Sequence, residues 1–502
     1  MKRTIFITCL AIFFVNVSSQ NFECIKTDAV YYFTDVDLSF TGEHQYKAIR
    51  IDSTAINSDT TTYFQFPVIG IENWQWDCYS GNWPSWIGKN IDVKADGTTI
   101  FYNLENAPVT IKPQMDTGTE WYCLTFYTGS IIKAHVVSIE EMTFLGITEM
   151  VKKIGFQAYN GMGEPMIHPV NYMYLLVSQN HGLIRSINFK VFPDLIDNFW
   201  GDECHEYEIC GISEPEIGIQ NLTIDRIYDF EVGDEFHIYE YSWEGTSANN
   251  FKYIKTVIGK EVINDEITYT YSRCGRKQIY ENVPNFDTVL LIQDTIMETI
   301  LPYYPGHEAL NQLPDQYLSS GDTTYLEYAW GRQFLEAEYN KTGKLLVEGY
   351  FSYYPHDCIE EFITGESIFW DEYYYEGLGG PYWDQTVYWS SKRDLVYYKK
   401  DNETWGEPYN CDSLLVSQSE ISLDELSITI APNPMKDYTR ITIYNPGQQK
   451  TTIALYTIMG QIAKEERSTE MEIKKGEIQP GIYLIRVFES DRLVGTKKLV
   501  VE

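Results

Sequence analysis

The last eighty or so residues of the chain consist of short apolar segments separated by turn-forming residues. Residues 427–430 and 440–444 alternate apolar and polar side chains with a period of two, as half-buried strands do. Residues 432–434 contain two prolines, which fix φ and lack an amide donor, so the first strand must end there. About seven such segments at roughly ten-residue spacing predict a small β-sandwich over residues 427–502.

The charge of the chain changes at the start of this region. The whole sequence holds 72 acidic and 38 basic residues, of which residues 421–502 contain 11 of each sign. Two basic residues lie among the first 19, so residues 20–420 carry 61 acidic side chains against 25 basic ones, and all 12 tryptophans. This shift predicts a linker over residues 417–426. So negative a segment argues against nucleic acid as a partner, because phosphate repulsion opposes contact.

The N-terminus has the pattern of an export signal. Lys2 and Arg3 precede an apolar run at residues 5–17, which is followed by the small residues Ser18 and Ser19. This order predicts a secretory signal peptide over residues 1–19. No later segment approaches the roughly 18 apolar residues of a membrane span, so we expect a soluble or surface-attached mature protein.

The segment between signal and linker, called the passenger below, is too long for one hydrophobic core. Strand-like runs dominate it, and helical periodicity is confined to short candidates at residues 138–141, 188–195 and 322–334. A turn-rich stretch at residues 211–221 suggests where two domains meet. The predicted fold is all-β, with two aromatic-rich antiparallel β domains followed by a small C-terminal Ig-like β-sandwich. The predicted boundaries are 20–215 and 220–416 for the passenger domains, and 427–502 for the sandwich.

Four short segments of the C-terminal region form a pattern through their order and spacing. Their defining residues are Pro432, Asn433, Pro434, Gly460, Pro480, Gly481, Tyr483, Lys497 and Lys498. Together they resemble the type A C-terminal sorting domain of cargo of the type IX (Por) secretion system. The alternative is a terminal β domain with an adhesive or structural role.

The resemblance implies partners and a location. In that family an outer-membrane translocon recognises the domain and a sortase-like peptidase usually removes it. The passenger is then released or attached to surface lipopolysaccharide. We therefore expect a protein that passes through the periplasm of a Gram-negative bacterium and is secreted or held at the outer-membrane cell surface. The passenger resembles uncharacterised cargo proteins, which supplies no activity.

The cysteine count is compatible with disulfide bonds. Nine cysteines are present, and removal of Cys9 with the signal leaves eight, an even number in an exported chain. Local pairing predicts Cys204 with Cys210, Cys78 with Cys123, and Cys358 with Cys411. Free buried thiols are the alternative. A metal site is disfavoured because no Cys-x-x-Cys or paired Cys/His spacing occurs, and we predict neither a metal nor a cofactor.

The sequence contains no catalytic signature. A Gly-x-Ser-x-Gly elbow and a phosphate-binding glycine loop are both missing, and His307 begins a zinc-protease pattern that lacks its second histidine. The many acidic residues include neighbouring carboxylates that a glycoside hydrolase could use, such as Glu360, Glu361, Asp371 and Glu372. Whether the passenger is an enzyme is left open, with a hydrolase of glycans or peptides as the alternative function.

Tryptophan clusters are the remaining functional signal. Exposed rings in loops can stack on sugars while nearby carboxylates accept hydrogen bonds. The candidate ligand platform consists of Trp74, Trp76, Trp83, Trp86, Trp383 and Trp389. The alternative is that these rings fill a β-sheet core. We predict a non-catalytic binding or surface-interaction module, with a glycan among its candidate ligands.

Overall fold

The computed structural model describes residues 21–36, 44–73, 78–126, 129–193, 205–244, 247–263, 266–281, 286–300, 305–321, 325–352, 370–386, 390–415, 427–444, 451–457, 460–489 and 492–502. The predicted signal peptide and linker lie outside these ranges. The structure is all-β, with 65% of residues in strands and 4% in helices, which confirms the predicted fold class. It divides into two compact units, Met1–Leu415 and Val416–Glu502.

The first part of the larger unit contains sixteen strands in the described ranges. They are β1 Tyr31–Asp35, β2 Gln45–Ile49, β3 Ile51–Asn57, β4 Thr60–Gln65, β5 Val68–Asn73, β6 Cys78–Trp83, β7 Ile91–Lys94, β8 Thr99–Tyr102, β9 Pro108–Ile111, β10 Glu120–Thr125, β11 Ile131–Phe144, β12 Ile147–Tyr159, β13 Tyr174–Ser178, β14 Gly182–Ile187, β15 Glu206–Ile212 and β16 Ile217–Gly218. A 3-10 turn spans Pro169–Tyr172.

Thirteen of these strands form two sheets around a common core, while β5 and β6 pair as a separate two-stranded sheet and β16 pairs with β15. One sheet has the order β10-β11-β12-β13-β14-β15-β1-β2, and the other has the order β3-β4-β7-β8-β9, each with antiparallel neighbours. Strand β11 shows how the sequence pattern sets the layers, because its alternate residues Ile132, Ala134 and Val136 are buried. Phe101 stacks on Phe189 at a ring-centroid distance of 3.8 Å inside this core.

The second part of the larger unit continues with eleven further strands. They are β17 Glu235–Glu244, β18 Ser247–Ile263, β19 Glu266–Glu281, β20 Phe286–Ile300, β21 Tyr317–Gly321, β22 Tyr325–Glu336, β23 Lys341–Ser352, β24 Trp370–Tyr375, β25 Gly379–Thr386, β26 Ser390–Lys400 and β27 Glu403–Gly406. Its short helices are α1 Ile224–Ile227, α2 Pro305–Leu310 and α3 Cys411–Leu415.

Nine of these strands form one antiparallel sheet in the order β20-β19-β18-β17-β26-β25-β24-β23-β22, and β21 and β27 pair with β22 and β26. Its core lies apart from the first core and is rich in aromatic side chains, among them Phe236, Tyr269, Tyr271 and Tyr375. A short pairing of β2 with β22 joins the sheets of the two halves. The division of the passenger into domains 20–215 and 220–416 stays a prediction.

The predicted helical candidates in the passenger are strands or turns. Residues 138–141 lie within β11, and residues 325–334 of the third candidate lie within β22. Residues 188–193 of the second candidate form turns. Cross-strand partners decide the conformation in these segments, because local propensity is weak against the hydrogen bonds and burial of a sheet.

A buried lysine joins several segments of the second part of the larger unit through hydrogen bonds. Lys344 is fully buried, and its Nζ donates to Asn221 Oδ1 at 3.1 Å and to the carbonyl oxygens of Leu222, Leu310 and Gln312 at 3.0, 2.7 and 2.7 Å. None of these acceptors carries a charge, and burial lowers the pKa of Lys344 to about 7. The ammonium therefore ties the chain entering α1 and the end of α2 to strand β23.

The smaller unit is the predicted seven-stranded sandwich. Its strands are β28 Ser427–Ala431, β29 Tyr438–Tyr444, β30 Thr451–Thr457, β31 Ile462–Glu466, β32 Glu470–Lys474, β33 Gly481–Glu489 and β34 Arg492–Val501. They form a three-stranded sheet, β28-β29-β32, and a four-stranded sheet, β31-β30-β33-β34. Both sheets bury alternate residues in one core, including Ile441, Leu455, Ile473, Ile485 and Leu499.

The disulfide predictions are wrong in their pairing. Cys411 of α3 bonds to Cys274 of β19, and not to Cys358. Cys123 and Cys210 are free thiols, so the pairs Cys78–Cys123 and Cys204–Cys210 do not form in this structure. Burial raises the pKa of the Cys210 thiol to about 12. Proximity along the sequence is a poor guide here because sheet register, not chain distance, decides which Cα atoms come within bonding range.

Candidate functional site

The predicted tryptophan platform does not assemble in the described part of the chain. Trp86 belongs to the first core, with 7% of its surface exposed, and its Nε1 donates to the Ala48 carbonyl oxygen at 3.1 Å. Its ring centroid lies 5.1 Å from that of Phe33 and 4.8 Å from that of Tyr207. Its assignment to a ligand platform is therefore wrong, since its polar tip and both flanks of its ring already have partners.

The other predicted tryptophans are dispersed. Trp83 ends β6 and is half-buried, while Trp383 lies in β25 in the other half of the passenger. Trp383 is also half-buried, and its Nε1 donates to Ser391 Oγ at 2.8 Å while the Arg393 guanidinium lies 5.6 Å from its ring. Trp74, Trp76 and Trp389 lie outside the described residues.

A different aromatic surface emerges on strand β17. Tyr239, Tyr241 and Trp243 occupy alternate positions of this strand and therefore project from the same face of the sheet. Trp243 is 42% exposed, and the two tyrosines are half-exposed. Because alternate residues of a strand are about 7 Å apart, the three rings form a row roughly 13 Å long.

The neighbouring strands add polar groups beside this row. Tyr241 lies opposite Asn250 on β18 and Lys392 on β26, and Asn250 in turn lies opposite Gln278 on β19. Directly paired residues share a face of the sheet, so these side chains surround the rings. We call this surface the β17 face; it comprises Tyr239, Tyr241, Trp243, Asn250, Lys252, Arg276, Gln278, Tyr280, Asp384, Lys392 and Asp394.

The polar groups of the β17 face are ordered by mutual contacts. Lys392 Nζ lies 2.8 Å from Asp384 Oδ2 and 3.0 Å from Asp394 Oδ2, and hydrogen bonds to these carboxylates raise the pKa of the lysine. Tyr280 donates its hydroxyl to Gln278 Oε1 at 3.2 Å. The face thus offers carboxylate, amide, ammonium and phenol groups within reach of three aromatic rings.

The C-terminal end of the passenger packs along one border of this face. The Tyr409 amide donates to His237 Nδ1 at 2.7 Å, and Glu235 Oε1 lies 2.8 Å from His237 Nε2. Burial lowers the pKa of His237, so the ring is neutral at pH 7, with its proton on Nε2. Two residues beyond Tyr409, Cys411 is bonded to Cys274 of β19. These contacts fix residues 409–411 to strands β17 and β19 beside the β17 face.

The sequence contained a usable signal for this face. The run from His237 to Trp243 places an aromatic or imidazole ring at every second residue, with Ile, Glu and Ser between them. That period of two is the pattern of a strand with one ring-bearing face. The density of tryptophans favoured residues 74–86 over a strand that contains only one tryptophan.

The two carboxylates considered for hydrolysis that the structure describes, Asp371 and Glu372, do not form a pair. Asp371 and Glu372 are adjacent in β24, and successive residues of a strand point to opposite faces of the sheet, so they cannot flank one bond. Glu360 and Glu361 lie outside the described residues. His307 lies in α2, and the described ranges contain no group of three or more metal-ligating side chains.

The predicted sorting residues fix the end of the chain in the smaller unit. Asn433 donates through Nδ2 to the Lys498 carbonyl at 2.8 Å and accepts from the Val500 amide through Oδ1 at 2.9 Å. Beside it, the Met435 amide donates to the Val500 carbonyl at 2.7 Å, and the Glu502 amide donates to the Met435 carbonyl at 2.9 Å. The asparagine between the two prolines therefore pairs with β34 as a strand backbone would.

The other sorting residues shape turns and the core. Gly460 has a φ of +79°, which favours glycine, and its amide donates to the Thr457 carbonyl at 2.9 Å in the turn between β30 and β31. Tyr483 follows Pro480 and Gly481, and its hydroxyl donates to the Gln479 carbonyl at 2.8 Å. These residues are positioned by turns and strand ends, which is where a motif of Pro, Asn and Gly is expected.

Comparison with known proteins identifies this smaller unit. Residues 429–502 match the family described as the secretion system C-terminal sorting domain. No curated protein matches the chain. None of the short helices in the described ranges has the length and apolar composition of a membrane span.

Two solved structures align weakly with the chain. PorZ, a surface component of the type-IX secretion system of Porphyromonas gingivalis, is 9% identical, with 91% of this chain and 77% of that chain covered and a TM-score of 0.13. The extracellular domain of BT4673 from B. thetaiotaomicron is 10% identical, with coverage of 96% and 99% and a TM-score of 0.13. At such scores neither likeness bears on fold or function.

The matched family confirms the predicted C-terminal sorting domain. The protein is cargo of the type IX secretion system with a C-terminal sorting domain. It is handled by that secretion machinery and exported to the cell surface or to the exterior.

Proposed function

We propose that the passenger is a secreted, non-catalytic module that binds neutral glycans through the β17 face. The observation that supports this most directly is the row formed by Tyr239, Tyr241 and Trp243 on one strand. A sugar ring presents C–H groups on its faces and hydroxyls around its edge. Aromatic rings stack on the former, while carboxylates and amides bind the latter.

The shape and charge of the face favour one class of ligand. A row of rings on a sheet suits an extended polymer that lies across several strands, rather than a small molecule that needs an enclosed pocket. Lys392 is paired with Asp384 and Asp394, and the face also holds the cations Lys252 and Arg276, so it carries charges of both signs. The passenger as a whole is strongly acidic, and this long-range charge opposes the approach of a polyanion. The proposed ligand is therefore an uncharged polysaccharide.

The steps of export that the family implies complete the proposal. The translocon recognises the sorting domain, a sortase-like peptidase removes it, and the passenger is released or attached to lipopolysaccharide at the cell surface. In either case the β17 face belongs to the part of the chain that remains. A surface-attached passenger holds glycans at the cell, and a released one acts in the medium.

Binding of the secreted protein to immobilised neutral polysaccharides tests this function. We expect Trp243→Ala to weaken binding by about tenfold, because a lost ring contact in a partly exposed site corresponds to roughly 1.4 kcal/mol. Tyr172→Ala is the matched control, since that ring is 78% exposed in the first half of the passenger and should leave binding unchanged. Binding to no neutral glycan, or equal losses in both variants, would contradict the proposal.

A further inference from the structure

The two sheets of the sorting domain differ in their outward faces. The outward face of the three-stranded sheet is polar and charged. We call it the charged face; it consists of Tyr438, Arg440 and Thr442 from β29 and Glu470, Glu472 and Lys474 from β32. Glu472 lies 3.3 Å from Arg440 and 3.5 Å from Lys474, so the charges of this face are largely paired with one another.

The outward face of the four-stranded sheet is apolar. On β33 the inward residues Tyr483, Ile485 and Val487 are buried, so the alternate residues Ile482 and Leu484 point outward. Strand pairing places Val500 opposite Ile482, and places Tyr456 opposite both Leu484 and Ile462. We call this surface the apolar face; it consists of Tyr456, Ile462, Ile482, Leu484 and Val500.

This apolar face is accessible and has basic groups at its border. Ile462 is 54% exposed and Ile482 is 48% exposed. The Arg486 guanidinium lies 4.9 Å from the Tyr456 ring, and the exposed Lys498 is paired in register with Leu484. Neither cation forms an ion pair with another side chain of the described ranges. Contiguous exposed apolar side chains on a sheet mark a surface that binds another macromolecule.

We propose that the apolar face is the surface through which the export machinery binds this sorting domain. The complementary surface on the machinery is an apolar strip bordered by acidic side chains, which pair with Arg486 and Lys498. The inference rests on the export function and is independent of the proposed glycan binding. It gives Lys498 a role in partner binding, whereas Lys497 lies on the opposite face of β34.

Charge argues against a second copy of the chain as the occupant. Two copies related by a two-fold axis would place the same apolar strip and the same two cations against each other. Strand pairing places Glu465 on this face, opposite Ala454, so each copy would bring two cations and one carboxylate of the paired strands to such a contact, and positive charge would remain in excess. An acidic partner gains two ion pairs from the same geometry, and such complementarity sets partner choice and the rate of encounter.

Secretion of full-length variants from a bacterium with a working type IX system tests the proposal. The first variant is Ile462→Ser/Ile482→Ser. Because both isoleucines are about half exposed, we expect the domain to stay folded. We expect the amount of secreted protein to fall at least fivefold and the amount in the periplasm to rise. Lys498→Glu reverses one border charge and is expected to reduce secretion as well. Tyr438→Ser/Arg440→Ser on the charged face is the control and should be secreted as the unchanged chain is.

Thermal unfolding of the same variants separates recognition from folding. The proposal holds if the secretion defect occurs in variants whose sorting domain unfolds at an unchanged temperature. Normal secretion of both apolar-face variants, or an equal defect in the charged-face control, would overturn it. Glycan binding by the purified protein is expected to be unaffected in all three variants, so a failure of the glycan proposal would leave this result intact.

Discussion

Replacement of Lys344 by methionine is expected to lower the free energy of unfolding of the passenger by about 1–3 kcal/mol at pH 9, because the oxygens that accept from its amine are left buried without a donor. Three backbone carbonyls and the Asn221 amide oxygen lose their common donor. Methionine has a similar volume and keeps the packing of the stem, so the loss reports mainly on hydrogen bonds.

The cross-strand neighbours of Lys344 do not replace its hydrogen bonds. Gln333, its cross-strand neighbour, is itself engaged with the Leu222 amide at 2.8 Å and the Gln220 carbonyl at 2.9 Å. Gly331 faces the lysine stem, where a Cβ would lie 2.7 Å from Lys344 Cε. The freed carbonyls at residues 222, 310 and 312 then stay unsatisfied or admit water, which loosens the junction.

The measurement is urea unfolding at pH 9, where Lys344, whose pKa in the folded chain is about 7, is a neutral amine. At pH 6 the cost of burying its charge would be relieved by methionine and would offset the lost hydrogen bonds. Lys341→Met is the matched control in the same strand. That lysine is partly exposed and pairs only with Glu403 at 2.6 Å, and such surface pairs contribute about 0–1 kcal/mol. Equal stability of the two variants would show that the hydrogen bonds of the buried Lys344 side chain are not what joins these segments.

Loss of the Cys274–Cys411 disulfide is expected to lower the free energy of unfolding by about 4 kcal/mol, because the bond closes a long loop in the unfolded chain. The two cysteines are 137 residues apart in the sequence. The bond also holds α3 against β19. Two residues before Cys411, the Tyr409 amide donates to His237 of β17. Without the disulfide, the end of the passenger frays first, and the border of the β17 face becomes less ordered.

Cys274→Ala/Cys411→Ala should reproduce the effect of reduction at this bond. We expect a lower unfolding temperature than that of the unchanged chain, and a smaller further decrease when a reductant is added. Cys210→Ala is the control, because that thiol is free and half-buried. A double variant as stable as the control would contradict a structural role for the bond.

Fold class and sorting domain were predictable because their signals are local. Prolines 432 and 434, glycine 460 and the Pro480-Gly481 step end or turn strands for reasons that each residue carries with it. The period-two alternation of 440–444 gives the buried face directly. Such features need no knowledge of which strands meet, so the strands at residues 427–430 and 440–444 followed from the sequence, whereas β31 and β32 were not located.

Features that depend on partner strands were not predictable in this way. Cys411 finds Cys274 because α3 packs on β19, a contact that no spacing rule reveals. Trp86 is a core residue because Phe33 and Tyr207 come from distant strands to enclose it. The β17 face combines residues of β17, β18, β19, β25 and β26, of which only the ring row on β17 could be read from a single segment.

The central claim is that the sorting domain is a separate folded unit that directs the export of a self-sufficient passenger. Fractionation of cells that produce a chain ending at Leu415, which keeps the Cys274–Cys411 bond, tests this most directly. We expect the truncated protein in the periplasm, folded and with the disulfide formed, and none outside the cell. Truncated protein at the surface or in the medium, in amounts like those of the full chain, would contradict the claim.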